Sequence, residues 1–109
     1  MRVMHYMNQF FAGKGSEDRA DMPASSIEGA VGPGKRLQEK LGDDTRIVVT
    51  AYYGDNYFSE NNDESLEAIL IIASEYKVDL LVAGPAFDSS RHGFACAQVC
   101  HTVSSTLGL

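Results

Sequence analysis

Apolar residues along this chain fall into three short runs, separated by segments in which they recur at helical spacing. The runs cover residues 2–8, 46–53 and 78–83. Each has the length of a β-strand, and the second is rich in β-branched and aromatic residues. The third is apolar at almost every position, which predicts a strand buried on both faces of a parallel sheet.

Three helices are predicted between and after these strands. The first begins at Pro33 and ends at Gly42, because proline suits a first helical position and glycine a C-terminal cap. The second is capped by Asp63 and continues to about residue 76. The third covers about residues 92–107.

Residues 12–34 and 57–62 are polar and are predicted as loops. The order β-α-β-α-β-α then predicts βαβ crossovers and parallel strands. We therefore expect an α/β fold of three layers, a flavodoxin- or Rossmann-like sheet of about three strands in the order 2-1-3. Residues 1–109 would form a single domain, and the sheet would be incomplete, as in the N-terminal portion of a longer chain.

The net charge of −6 and the low pI near 4.8 indicate which kinds of binding partner to expect. An acidic surface is repelled by phosphate backbones and anionic lipids, so we expect neither nucleic acid nor membranes as partners. The N-terminal segment resembles neither a signal peptide nor a membrane span, and two cysteines give no sign of a secreted disulfide scaffold. A cytoplasmic location is expected. Because a thin sheet leaves open edges, we also expect a homo-oligomer, or pairing with further chain.

Polar residues follow each predicted strand, where open α/β sheets bind their ligands. An arginine in this set could hold a carboxylate in a forked contact, which suits a small polar substrate. The alternative is that these are ordinary loop-tip residues, with Asp88 or Ser90 capping the last helix. The predicted substrate-binding residues at this edge are Asn8, Gln9, Asp55, Asn56, Arg91 and His92.

Cys96 and Cys100 lie four residues apart on the last predicted helix. Both are small enough to be core residues. Cys96 is one turn from the helix N-terminus, where the dipole could lower its pKa, and so joins the candidate substrate-binding residues. The sequence contains no closely spaced set of metal-ligating residues, so no metal site is predicted. His5, in the first strand, is interpreted as a satisfied, partly buried imidazole rather than a catalytic base.

Four blocks in the sequence, in order along its whole length, carry a resemblance to a known family. They are residues 5–11 (HYMNQFF), 28–34 (EGAVGPG), 54–58 (GDNYF), and 84–87 (GPAF) with 91–96 (RHGFAC). The chain resembles the opening part of component B, the selenoprotein of glycine, sarcosine and betaine reductases.

The resemblance implies a role in recognising a small amine substrate together with other reductase components. In that family a selenocysteine is thought to attack the α-carbon of the substrate, and the complete complex forms acetyl phosphate. The selenocysteine lies in the later part of the family's chain, and a pyruvoyl group is carried by a partner subunit. We therefore expect no cofactor in this chain.

The resemblance covers about the first quarter of a family member, and residues 96–100 (CAQVC) do not match the family's redox motif. Two main hypotheses follow. The chain is the N-terminal domain or a truncated homologue of component B, or it is a non-catalytic domain of the same lineage that binds a small ligand or a partner. An unrelated flavodoxin-like binding module is a third hypothesis, which a flavin spectrum would test.

Overall fold

The computed structural model describes residues 1–15, 22–23, 25–86 and 90–109, without the side chains of Ser90 and Arg91. Within these residues the chain forms one four-stranded sheet flanked by four helices. The elements are β1 (Arg2–Asn8), β2 (Ser25–Glu28), α1 (Gly34–Leu41), β3 (Arg46–Tyr53), α2 (Asp55–Glu60), α3 (Asn62–Glu75), β4 (Leu80–Ala83) and α4 (Ser90–Leu107).

The sheet confirms the α/β class. Its strand order is β2-β3-β1-β4, and β1 pairs in parallel with both β3 and β4. These three strands are the predicted ones, in the predicted order 2-1-3. The fourth strand, β2, was missed: it lies in the predicted loop 12–34 and runs antiparallel to β3. Pairing with the edge of β3 satisfies its backbone groups, so this short segment becomes a strand although its composition is typical of a loop.

The prediction for the third apolar run was wrong in one respect. In the described sheet, β4 pairs with β1 alone and is therefore an edge strand rather than a central one. Leu80 is 39% exposed, and the rest of β4 is only partly buried. An apolar run therefore need not be covered on both faces.

The predicted loop 57–62 was also wrong, because most of it belongs to α2. Gly54 leaves β3 in an extended conformation, and α2 begins immediately at Asp55. Phe58 is buried, so a single apolar residue anchors this short helix to the core. A following helix, α3, begins one residue before the predicted Asp63 cap.

Alternation along β1 divides the core between the two faces of the sheet. Met4 and Tyr6 belong to the larger apolar cluster, which contains residues from α2, α3 and α4. Met7 belongs to a smaller cluster with residues from the segment between β1 and α1. His5 points to this second face, where its ring lies against Gly34 at the start of α1. Helices therefore cover both faces, giving the three predicted layers.

Gly32 fixes how the chain crosses from β1 to the second face. Its φ is +52°, and a Cβ at this position would collide with the backbone carbonyl of Phe11. Only glycine combines this conformation with so close a backbone approach. Phe11 is thus held against the turn that precedes α1.

Among the described residues, no helix combines the length and apolarity needed to cross a bilayer.

Candidate functional site

The polar residues that follow β1 and β3 meet the start of α4 at one edge of the sheet. Asn8 is the last residue of β1, Asp55 is the first residue of α2 directly after β3, and His92 lies in the first turn of α4. All three are buried, together with Cys96 one turn further along α4. These four side chains are joined by hydrogen bonds and are called the rim network below.

Asp55 is the centre of the rim network. Its Oδ2 accepts a hydrogen bond from Asn8 Nδ2 at 3.0 Å, and its Oδ1 lies 3.0 Å from His92 Nδ1. Asn8 is oriented in turn by the backbone N–H of Phe11, which donates to Asn8 Oδ1 at 3.0 Å. Since that N–H can only donate, the amide nitrogen of Asn8 must face Asp55. The Asp55 carboxylate therefore contacts side chains from two elements, Asn8 of β1 and His92 of α4.

His92 links the carboxylate to a thiol. A carboxylate next to Nδ1 favours the tautomer in which Nδ1 carries the proton, so that Nε2 presents a lone pair. Nε2 lies 3.5 Å from Cys96 Sγ, and the S–H group can donate to it. The i, i+4 spacing on α4 brings these two side chains together. His92 itself is fully buried.

The predicted effect of the helix N-terminus on Cys96 was wrong in sign. Burial, with smaller contributions from Cys100 and Asp55, raises the pKa of Cys96 to about 12. Loss of solvation disfavours the thiolate, and nearby negative charge disfavours it further. At neutral pH, Cys96 is therefore a protonated thiol.

Two aromatic rings border the imidazole of His92. The ring of Tyr6 lies 5.8 Å from it and the ring of Phe11 lies 6.0 Å from it, measured between centroids. Tyr6 is fully buried, and its hydroxyl has no hydrogen-bond partner among the described residues. Burial raises the pKa of Tyr6, with contributions from Tyr53, Cys96 and Asp55, so this hydroxyl keeps its proton. No sequence signal marks Tyr6 as part of this site, because tyrosine in a strand is ordinarily a core residue.

For the other predicted substrate-binding residues, the structure gives the position in the fold and, for two of them, the burial. Gln9 is buried, and its backbone N–H donates to the carbonyl of Tyr53 at 3.0 Å. Asn56 is half-buried in α2. Arg91 lies in the first turn of α4, but its side chain is outside the described part, as is all of Asp88. A substrate-binding role for any of these residues, or for the rim network, stays a prediction.

His5 and Cys100 lie apart from the rim network. His5 is buried on the second face, and its Nε2 donates to the carbonyl of Gly84 at 2.7 Å. Its other ring nitrogen has no hydrogen-bond partner among the described residues. Burial lowers the pKa of His5. Cys100 is exposed, so the interpretation of both cysteines as core residues was wrong for this one. Within the described ranges, no group of three His, Cys, Asp or Glu side chains is arranged to hold a metal ion.

A cavity of about 940 Å³ lies at the opposite end of the sheet, where β1 and β3 begin. Arg2 and Arg46 border it, but so do Glu28 and Asp43, so its charges offset one another. The Arg2 guanidinium donates to the carbonyl of Tyr76 at 2.8 Å. This open cavity contains neither a thiol nor an imidazole, and we place the candidate chemistry at the rim network instead.

Comparison with known proteins identifies related chains along the whole sequence. The family model described as glycine/sarcosine/betaine reductase selenoprotein B matches residues 1–109. The sarcosine reductase complex component B subunit beta of Peptoclostridium acidaminophilum is 43% identical over all 109 residues. The glycine reductase complex component B subunit gamma of Symbiobacterium thermophilum is 44% identical over the same length. The betaine reductase complex component B subunit beta of Peptoclostridium acidaminophilum is 36% identical over 102 residues.

These relatives are much longer than the chain. The match covers 100% of this chain but 25% of the sarcosine and glycine reductase subunits. For the betaine reductase subunit it covers 94% of this chain and 23% of the relative. No solved structure matches the chain significantly.

Proposed function

Because this chain belongs to the glycine/sarcosine/betaine reductase selenoprotein B family, we propose that it is the N-terminal domain or a truncated homologue of a component B subunit. In this role it binds the small amine that the whole complex deaminates reductively, with acetyl phosphate as the product. The observation that carries the proposal is the match over residues 1–109 to a family whose members are named for these reductases.

The rim network supports a binding site for a small zwitterion. It lies at the carboxyl ends of β1 and β3, where parallel sheets bind ligands. The Asp55 carboxylate offers negative charge to an ammonium group, and each of its oxygens can accept more than one hydrogen bond. Arg91 follows in the first turn of α4, and its guanidinium would hold the carboxylate of the substrate. Gln9 and Asn56 would supply neutral hydrogen-bonding groups.

The partners of the domain follow from the same family membership. The relatives are named as subunits of multi-component reductase complexes. We expect this chain to associate with other reductase components in the cytoplasm, in an amino-acid-fermenting metabolism. The pyruvoyl group and the selenocysteine of the complete complex would be supplied outside these 109 residues.

A thermal-shift measurement with glycine, sarcosine and betaine tests the binding proposal. A ligand at ten times its dissociation constant adds about 1.4 kcal/mol of stability, which raises the melting temperature of a domain this size by about 6–11 °C. We expect one of the three amines to produce such a shift and Asp55→Asn to abolish it. Asp63→Asn is the matched control, because Asp63 is exposed in the first turn of α3.

Turnover in the presence of the other reductase components separates the two main hypotheses. A domain or truncated homologue of component B should support amine-dependent acetyl phosphate formation when the remaining parts are supplied. A non-catalytic domain of the same lineage would show the thermal shift without turnover. A flat thermal response to all three amines, with and without a partner subunit, would contradict the binding proposal.

A further inference from the structure

The strand β4 lies at a free edge of the sheet. Within the described sheet it pairs with β1 alone. The backbone N–H of Asp79 donates to the carbonyl of Arg2 at 2.7 Å, towards β1. Since peptide groups alternate in direction along a strand, those of Leu80 and Val82 point away from β1, to the free edge. These donors and acceptors are available to pair with one more strand.

The side chains along this edge are apolar rather than charged. The sequence of β4 is LLVA, and Leu80 is 39% exposed while the other three residues are partly buried. A cavity of about 160 Å³ lies beside the edge and is lined by Leu80, Leu81, Cys100, Val103, Ser104 and Leu109. Edge strands that face water ordinarily carry a charged residue or a proline, which prevents unwanted pairing. None of the four residues of β4 is of this kind, which is typical of an edge that is covered in the assembled protein.

Helix α4 returns the chain to the end of the sheet at which β4 begins. It starts at Ser90, beyond the carboxyl end of β4, and Leu109 lines the same small cavity as Leu80, the first residue of β4. The helix ends in a turn at Gly108, whose φ is +72° and whose N–H donates to the carbonyl of Ser104 at 3.0 Å. A strand after α4 would therefore begin beside the start of β4 and run parallel to it.

The hand of the crossover decides on which side of β4 such a strand would lie. Between β3 and β4 the chain passes through α3, on the face of the larger apolar cluster, and moves from one side of β1 to the other. Helix α4 packs on this same face. Crossovers between parallel strands are almost always right-handed, so a crossover through α4 continues in the same direction. It would place the next strand outside β4, at the free edge.

We propose that the free edge of β4 is the docking surface for the remainder of component B, which adds a fifth strand parallel to β4. The inference rests on the proposed function, under which residues 1–109 are one part of a component B subunit. The match covers 25% of the sarcosine and glycine reductase subunits, so most of each lies outside it. Because the chain resembles the opening part of component B, this remainder corresponds to sequence that follows α4. The docking is the same whether the remainder is joined to residue 109 or is a separate polypeptide.

A second copy of this chain would cover the edge in a different way. Two copies related by a twofold axis would pair β4 with β4, which makes the two strands antiparallel. The homo-oligomer expected from the sequence would use this same edge, so it and the proposed complex exclude each other. The number of copies in the complex therefore distinguishes the two occupants.

Co-expression with the remainder of a relative tests the docking surface. The probe is the sarcosine reductase complex component B subunit beta of Peptoclostridium acidaminophilum without the segment that matches this chain. We expect it to co-purify with the 109-residue chain, with one copy of each by light scattering. Leu80→Lys should reduce the co-purified amount about tenfold or more, because a charge on an edge strand opposes pairing. Ile71→Lys is the matched control, since Ile71 is 51% exposed on α3, and it should leave the amount unchanged.

Hydrogen exchange in the complete relative is a second measurement, which does not depend on assembling two parts. The segment of that subunit aligned with β4 should exchange about tenfold or more slowly than β4 of this chain in dilute, monomeric solution. The central strand β1 is the internal reference in both proteins. If the separated remainder is insoluble, this comparison decides by itself.

The docking surface would be overturned by full co-purification of Leu80→Lys, which would place the remainder elsewhere on the chain. A complex that contains two copies of this chain joined through β4 would identify the second copy as the occupant instead. Equal exchange of the β4 segment in the two proteins would show an edge that stays uncovered. A soluble remainder that the chain does not capture would contradict the assignment to component B itself. Amine binding is measured separately by the thermal shift, so the two proposals can fail independently.

Discussion

Asn8 Nδ2 donates a hydrogen bond to Asp55 Oδ2 at 3.0 Å, across 47 positions of sequence. The bond joins the end of β1 to the start of α2, and both residues are buried. Asn8 thereby offsets part of the cost of burying a carboxylate. The exchange of this one amide for a carboxylate would place two like charges in contact.

Asn8→Asp should therefore destabilise the fold by about 1–3 kcal/mol near pH 7, because it replaces a donor by a second negative acceptor. The loss should shrink at low pH, where one of the two carboxyls takes up a proton. Urea unfolding at pH 5 and pH 8 measures both effects. Asn61→Asp is the matched control, because it also removes an amide donor, which bonds to the carbonyl of Tyr57 at 3.2 Å, but places the new carboxylate beside a backbone carbonyl rather than a second carboxylate. Equal losses in the two variants would contradict the prediction.

Gly34 and Gly93 form a second matched pair. A Cβ on Gly34 would lie 2.8 Å from His5 Nδ1, while a Cβ on Gly93 would meet no atom of the described residues within 4 Å. Gly34→Ala should cost about 1–3 kcal/mol through overpacking, and Gly93→Ala should add about 0.5–1 kcal/mol by favouring α4. Thermal unfolding gives both values. A neutral Gly34→Ala would show that the His5 ring moves away without cost.

His5 makes stability depend on pH. Burial lowers its pKa below 6.5 in the folded state, although its bond to the Gly84 carbonyl partly opposes this. As the pH falls, the unfolded chain takes up the proton first, so the contribution of His5 is complete above about pH 6.5 and declines below it. We expect His5→Gln to flatten this decline between pH 7 and pH 5. Urea unfolding at several pH values measures the slope, and an equally steep decline in His5→Gln would contradict this prediction.

Tyr6 and Tyr53 differ in what their hydroxyl groups contact. Tyr53 donates to the carbonyl of Ser65, whereas the Tyr6 hydroxyl has no partner among the described residues. Tyr53→Phe should cost about 0.5–1.5 kcal/mol, while Tyr6→Phe should be neutral or stabilising. Chemical denaturation measures both effects, and a larger loss in Tyr6→Phe than in Tyr53→Phe would contradict the prediction.

The edge strand β4 is where we expect the homo-oligomer to form. Leu80 is 39% exposed on this strand, beside a small cavity that Cys100, Val103 and Leu109 help to line. Leu80→Lys should convert the oligomer to a monomer, because a charge on an edge strand opposes pairing. Ile71→Lys, at an exposed position of α3, should not. Light scattering at micromolar concentration measures the state, and a monomer without any substitution would contradict the prediction.

The parallel part of the sheet could be predicted because each strand carries its own signal. Residues 2–8 and 46–53 are of strand length and are separated by a helix with clear end signals at Pro33 and Gly42. The βαβ connections predicted that the strands are parallel, and the order 2-1-3 was expected by analogy with flavodoxin-like sheets. By contrast, β2 exists through its pairing with the edge of β3, and nothing in its own four residues, SSIE, distinguishes it from a loop.

The sequence predicted that Asn8, Asp55 and His92 lie at one edge of the sheet, but not which of their atoms meet. Asn8, Asp55 and His92 could be grouped because each follows a strand or begins a helix at the same edge. Which atoms meet depends on side-chain directions that sequence spacing does not determine. The effect on Cys96 was wrong because burial, a property of the folded molecule, outweighs the helix N-terminus.

The close packing of Gly32 against Phe11 connects the turn before α1 with the surroundings of His92. Phe11 is fixed by Gly32 on the second face of the sheet, and its ring also borders His92. A Cβ at position 32 would collide with the backbone carbonyl of Phe11, so a substitution there has to displace the residue whose ring borders the imidazole. The turn before α1 therefore bears on the surroundings of His92 through the backbone of Phe11.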